Sequence, residues 1–154
     1  MDIDFQQLKP ADIEVLSDVM TRAFDQDAQQ FQGQNTGGPP GYDDGSFLRQ
    51  WGLDNPDSHA YRISVDGCPA GAFILWWDSA ASTLGNIFID PVYQNLGVGL
   101  AAWRFIEATF PAQKWRLETP EWATRNHYFY HTKCGFRRVG VVDAQVQFEK
   151  VWVD

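Results

Sequence analysis

The sequence is short of the features that mark several common protein classes. Its two cysteines, Cys68 and Cys134, stand far apart in 154 residues, which excludes a disulfide framework or a thiolate zinc site and leaves two free thiols. No apolar run reaches the roughly 20 residues of a membrane span. The opening MDIDFQQLKP carries acids where a secretory leader carries bases. The expectation is a cytoplasmic protein with no membrane partner. There is no internal repeat, no low-complexity tract and no glycine-lysine signature of a Walker phosphate loop. Bases are scarce too: 12 Lys and Arg face 20 Asp and Glu, a formal charge of −8. Residues 1–66 hold twelve of the acids and four of the bases, so that part carries the whole excess. A negative field repels nucleic acid and gathers cations, so no nucleic-acid partner is expected and an amine-bearing one is favoured.

What is present is apolar. Hydrophobic residues make up 44% and aromatics 15% of the chain, enough for the core of one folded domain spanning residues 1–154. Ile3–Leu8 reads as a strand. Ala11 to about Gln29 reads as a helix, with Ile13, Leu16, Met20, Ala23 and Phe24 at helical spacing, and Asp44–Leu53 as a second, short one. The breaker-rich loop Gly33–Gly41 joins them. Three strands follow, Ala60–Val65, Ala70–Trp77 and Thr83–Ile89, with a turn at Asp66-Gly67. A helix over Gly97–Phe110 is apolar on most sides. Then come a strand, Lys114–Thr119, a helix, Thr124–Cys134, and closing strands Phe136–Val142 and Gln145–Val153. The order β α α β β β α β α β β gives an α+β fold, a mixed α/β arrangement with one strand-helix-strand crossover.

Chemistry concentrates in Asn86–Leu100, where a β-branched and aromatic strand gives way to glycines that open a helix. Such a turn directs unpaired N–H groups at the positive end of a helix dipole, a site for an anion such as a phosphate. Gly97 and Gly99 lack a Cβ that would hold a diphosphate away. Gly97-Val98-Gly99-Leu100-Ala101-Ala102 also fits the dinucleotide fingerprint, with Glu118 near the place of a ribose-binding acid, so a small NAD(P)-binding protein using Gly97, Gly99 and Ala102 is one reading. Against it, Asp90–Leu96 separates the strand from Gly97 where that fingerprint wants a tight turn.

Gln94-Asn95-Leu96-Gly97-Val98-Gly99 resembles the Q/R-x-x-G-x-G/A pyrophosphate loop of the GNAT N-acetyltransferase family. Tyr128-Phe129-Tyr130, followed by Cys134-Gly135-Phe136, is similar to that family's helix-end motif, and the element order is the family's order. The resemblance implies a mostly antiparallel sheet of about seven strands with helices on both faces, and acetyl-CoA as cofactor. It implies that Gln94, Asn95, Leu96, Gly97, Val98, Gly99 and Leu100 hold the coenzyme A pyrophosphate, while the main chain of Phe88 and Ile89 pairs with the pantetheine arm. The implied activity is direct transfer of an acetyl group to a primary amine, on a small molecule or a protein N-terminus, with a general base and a general acid. Glu118 is the candidate base and Tyr130 the candidate acid.

Two departures from the family pattern stand out. One extra residue lies between Glu118 and Gly135-Phe136, so counting forward puts the acid at Tyr130 and counting backward puts it at His131. An inserted residue turns a helix by about 100°, so both landmarks keep their faces only if the last turn bulges. The family's coenzyme-contacting asparagine falls at Ala123, with Asn126 one turn later as its substitute. Tyr42, Asp43 and Asp44, between the two early helices, lie where the family contacts its acceptor. His127 and His131 are spaced as a metal pair but lack a third ligand, and no metal is expected. A non-catalytic acyl-CoA-binding sensor module is a further reading. A homodimer is open as well, with the last strand as edge or interface.

Overall fold

Alternating apolar and polar residues build seven strands into one sheet. The computed structural model describes residues 1–152. The strands are β1 (Ile3–Gln7), β2 (Ser58–Val65), β3 (Cys68–Trp76), β4 (Ser82–Ile89), β5 (Lys114–Pro120), β6 (Arg137–Val142) and β7 (Gln145–Val151). The helices are α1 (Ile13–Asp27), α2 (Ser46–Leu48), α3 (Val98–Thr109) and α4 (Thr124–Tyr128). The element order and the mixed α+β class are those read from the sequence. The expected end of the last strand, Val153, lies outside the described residues.

The sheet runs β1-β2-β3-β4-β5-β7-β6, and every neighbouring pair is antiparallel except β4 with β5. Each face carries its own core. On one, Leu16, Met20 and Ala23 of α1 bury Ala72, Ile74 and Phe88. On the other, Val98, Trp103 and Ile106 of α3, with Tyr130 and Cys134 just past α4, bury Phe73, Leu75, Trp115, Leu117 and Phe148. Helices α1 and α4 therefore stand on opposite sides of the sheet.

One defect positions everything that follows. β4 and β5 pair only at Ser82 with Trp115 and at Thr83 with Arg116. Just beyond, β4 carries a bulge: Ile74 faces Asn86 and Leu75 faces Leu84, leaving Gly85 without a partner on β3. A bulge bends its strand and increases local twist. From there to Ile89 the side of β4 that faces β5 has no strand beside it, and the two strands enclose a wedge.

The helices end wider than their spacing predicts. Residues 28–32, 49–53 and 129–133, which follow α1, α2 and α4, each form a π-helical turn. The first helix thus reaches Gln32 before Gly33 closes it in the left-handed region, at φ 64°.

Candidate active site

The loop after β4 is shaped by Asp90. Its buried carboxylate accepts the Val92 N–H at 3.2 Å and pairs with Arg22 of α1 at 2.7 Å. Asn95 and Gly97 then take positive φ values of 62° and 85°, and the chain enters α3. The first main-chain bond of that helix runs from the Ala101 N–H to the Gly97 carbonyl at 3.0 Å. Among the described residues, the N–H groups of Leu96, Gly97, Val98, Gly99 and Leu100 make no hydrogen bond of ordinary geometry. Nothing lies within 4 Å of where a Gly97 Cβ would stand, so that side of the loop is open. Gly99 serves differently: a Cβ there would meet the Phe129 ring at 3.2 Å, so its absence lets α4's extension close on α3. Five free amides at the positive end of a helix, with room before them, fit a diphosphate.

The amides border a cavity of about 400 Å³ that fills the wedge, lined by Ile87, Phe88 and Ile89 of β4, by Gln94, Asn95 and Gly97–Leu100, and by Asn126 and Tyr130. Gln94 braces the loop, donating from Nε2 to the Ile89 carbonyl at 3.2 Å. Asn126 reaches Thr119 Oγ1 only at 3.5 Å, and Ala123, at the family's asparagine position, is buried.

Tyr130 and His131 compete for one place in the sequence, and the π-helical turn separates them. The Cys134 N–H donates to the Phe129 carbonyl, five residues back, at 3.1 Å. That wider loop absorbs the extra residue, so Tyr130 lines the cavity while Phe136 stays in the core. His131 is exposed, outside the lining, with Nδ1 3.1 Å from the Phe136 carbonyl. Burial, with the Cys134 thiol beside it, pushes the Tyr130 phenol well above its ordinary value, so it stays protonated.

Other expected residues stand apart from the cavity. Leu117 and Thr119 of β5 turn towards α4 and are buried, so Glu118 lies on the opposite face; it is exposed and accepts from Gln147 Nε2 at 3.1 Å. Tyr42 is turned inward, donating its hydroxyl to Asp25 Oδ1 at 2.6 Å. Asp44 is occupied by the Ser46 hydroxyl and amide, at 2.6 and 2.9 Å, which hold its carboxyl below the usual range. Asp43 is exposed, as is the Leu96 side chain. None of the five side chains lines the cavity.

The cavity also gathers groups to which the sequence assigned no place in the site. Asp27, Arg125, Tyr128, Phe24 and Lys133 line it. Asp27 forms an ion pair with Arg125, whose Nη1 donates to Gln94 Oε1 at 2.9 Å. Burial pushes the Asp27 carboxyl up, opposed by the Arg125 charge. Asp27 stands four residues after the buried Ala23, a spacing that puts it on the inward stripe of α1.

The sequence profile of the acetyltransferase (GNAT) family matches residues 21–136, well over half of the chain. The chain belongs to that family. The uncharacterised protein YrkN of Bacillus subtilis is 34% identical to it over 93 residues, which are 58% of this chain and 50% of that one; the chain thus spans about half the length of this curated relative. The GNAT fold is matched over full lengths. The PaiA N-acetyltransferase of Thermoplasma acidophilum, crystallised with coenzyme A, superposes with a TM-score of 0.74 at 18% identity, over 99% of this chain and 100% of that one. The ribosomal-protein-S18-alanine N-acetyltransferase of Escherichia coli does so with a TM-score of 0.71 at 16% identity, over 96% and 92%. The nicotinamide reading is set aside: the chain belongs to the acetyltransferase family, and β4 with β5 is the one parallel pair among the described residues.

Proposed function

We propose that this GNAT domain transfers an acetyl group from acetyl-CoA to a primary amine. The observation that carries the reading is the run of unpartnered amides from Leu96 to Leu100, opening onto a wedge between two strands. Those amides would hold the diphosphate, and the flank of β4 that lacks a β5 neighbour, at Phe88 and Ile89, would align the pantetheine arm like an added strand. Asn126 faces the same space. Bound there, acetyl-CoA supplies the acetyl group as a thioester. Tyr130 holds a proton at Oη for the departing sulfur, and its burial keeps that proton in place until the sulfur becomes basic. Glu118, outside the cavity lining on the side of β5 that α1 shares, would take the proton of the attacking amine only through intervening water.

Calorimetry with coenzyme A and with NAD tests the binding half, and only coenzyme A is expected to bind. Thiol release from acetyl-CoA over a panel of amines tests the transfer half. Tyr130→Phe is expected to lower kcat by about 10²–10³ while the affinity for coenzyme A stays within about threefold, because only the hydroxyl is lost. Unchanged turnover would remove Tyr130 from the proton path, and coenzyme A binding without thiol release from any amine would leave a sensor rather than an enzyme.

A further inference from the structure

The ion pair between Asp27 and Arg125 joins α1 on one side of the sheet to α4 on the other. Two helices on opposite faces can touch only where the sheet is split, so the pair lies in the wedge beyond the last rungs of β4 and β5. Both residues line the cavity, and both are largely covered, with side chains 16% and 34% exposed. Arg125 is further held by Gln94 Oε1 at 2.9 Å and lies 6.0 Å over the Phe31 ring. Phe31 in turn packs on Trp122 at 6.3 Å. Asp27 and Arg125 line the same cavity as Tyr130, so a route into it from the α1 side passes this clasp.

An acceptor entering by that route must part the pair. A plain amine would satisfy Asp27 and strand the guanidinium, and leaving one member of a covered ion pair alone is costly. A molecule carrying both an ammonium and a carboxylate satisfies each half. We propose that the acceptor is a free amino acid or a similar small zwitterion, its carboxylate taken by Arg125 and its ammonium by Asp27, to which it yields one proton before the neutral amine attacks. This rests on the acetyltransferase reading above and names its substrate class. Arg125 suits the role because a guanidinium grips a carboxylate with two parallel hydrogen bonds. Asp27 suits it as the one carboxylate among the lining residues. The acetyl acceptor of this chain is then not a protein N-terminus, where the neighbouring acid is masked as an amide.

The test compares each protein amino acid with its primary amide, which keeps the amine and removes the carboxylate. Initial rates of thiol release from acetyl-CoA give kcat/KM, and calorimetry on the coenzyme A complex gives acceptor affinity. The wild-type chain is expected to favour the best amino acid over its amide by about 30-fold or more. Arg125→Gln should bring the two within about threefold, and Arg125→Lys should restore part of the gap. Coenzyme A affinity, measured on every variant, reports that each is folded and loaded. Equal treatment of acid and amide by the wild type overturns the inference, and so does a preference that survives in Arg125→Gln or a peptide that outperforms the free amino acid. If coenzyme A fails to bind the wild-type chain, the acetyltransferase reading falls first; if it binds and amines are acetylated without that preference, only the zwitterion falls.

Discussion

Tyr130 and Cys134 are neighbours across one turn, and burial acts on both. It pushes the Cys134 thiol up to about 12 from an ordinary 9.0, against Lys150, which lowers it, and with Glu107, which raises it. The sign of the pH effect follows. Between about pH 9 and 12 the unfolded chain releases the Cys134 proton while the folded chain keeps it, so the unfolded state binds fewer protons and stability falls as pH rises. Below pH 9 both states hold the proton, and the group is neutral to stability. Urea denaturation from pH 8 to 10.5 should show a decline of at most about 1.4 kcal/mol per pH unit from this thiol, flattened in Cys134→Ala. Exposed Cys68 should react with a thiol reagent in the native protein, and Cys134 only after unfolding. At this scale the sequence was informative where a motif constrained it. That Tyr130 and not His131 lines the cavity was legible from the spacing to Glu118. Asp27 was not, because an acid at the end of an already acidic segment reads like any solvated charge until the opposite helix is known.

Among the elements, α3 depends on the residue that precedes it. Gly97 sits at φ 85° with open space before it, so Gly97→Ala suffers from backbone strain rather than crowding. The expected loss is about 1–2 kcal/mol of stability, seen in denaturation without ligand. Coenzyme A affinity should fall at least about tenfold, because 1.4 kcal/mol is a factor of ten and the amides would shift with the turn. An affinity unchanged by this substitution would move the diphosphate elsewhere. Strand and helix identities were legible because their periods of 2 and 3.6 differ plainly. The wide turn at residues 129–133 was foreseeable only as a conflict between two landmarks, and the contact of Phe129 with α3 has no sequence signal at all. Edges blurred for the same reason: Pro120 extends β5, and α2 is a single turn before its π segment, because tertiary pairing sets ends that propensity leaves loose.

The whole molecule should answer to its ligand. Coenzyme A at a hundred times its Kd is expected to add about 2.7 kcal/mol of stability, raising Tm by roughly 5–10 °C for a domain of this size; NAD should leave Tm unchanged. A scan in which coenzyme A gives no shift would contradict the binding site. Topology at this scale was partly readable. The crossover through α3 calls for a parallel pair, which is β4 with β5, but the place where that pairing stops belongs to the bulge at Gly85 and to no residue type.

The seam left by that early stop has a mechanical meaning. Two slabs, β1–β4 and β5–β7, are stitched through the sheet by only two rungs, with α3 looped between them. Coenzyme A seated along the bare flank of β4 would act as mortar between the slabs, so amide hydrogen exchange in β4 and β5 is expected to slow when it is added and to recover when it is removed.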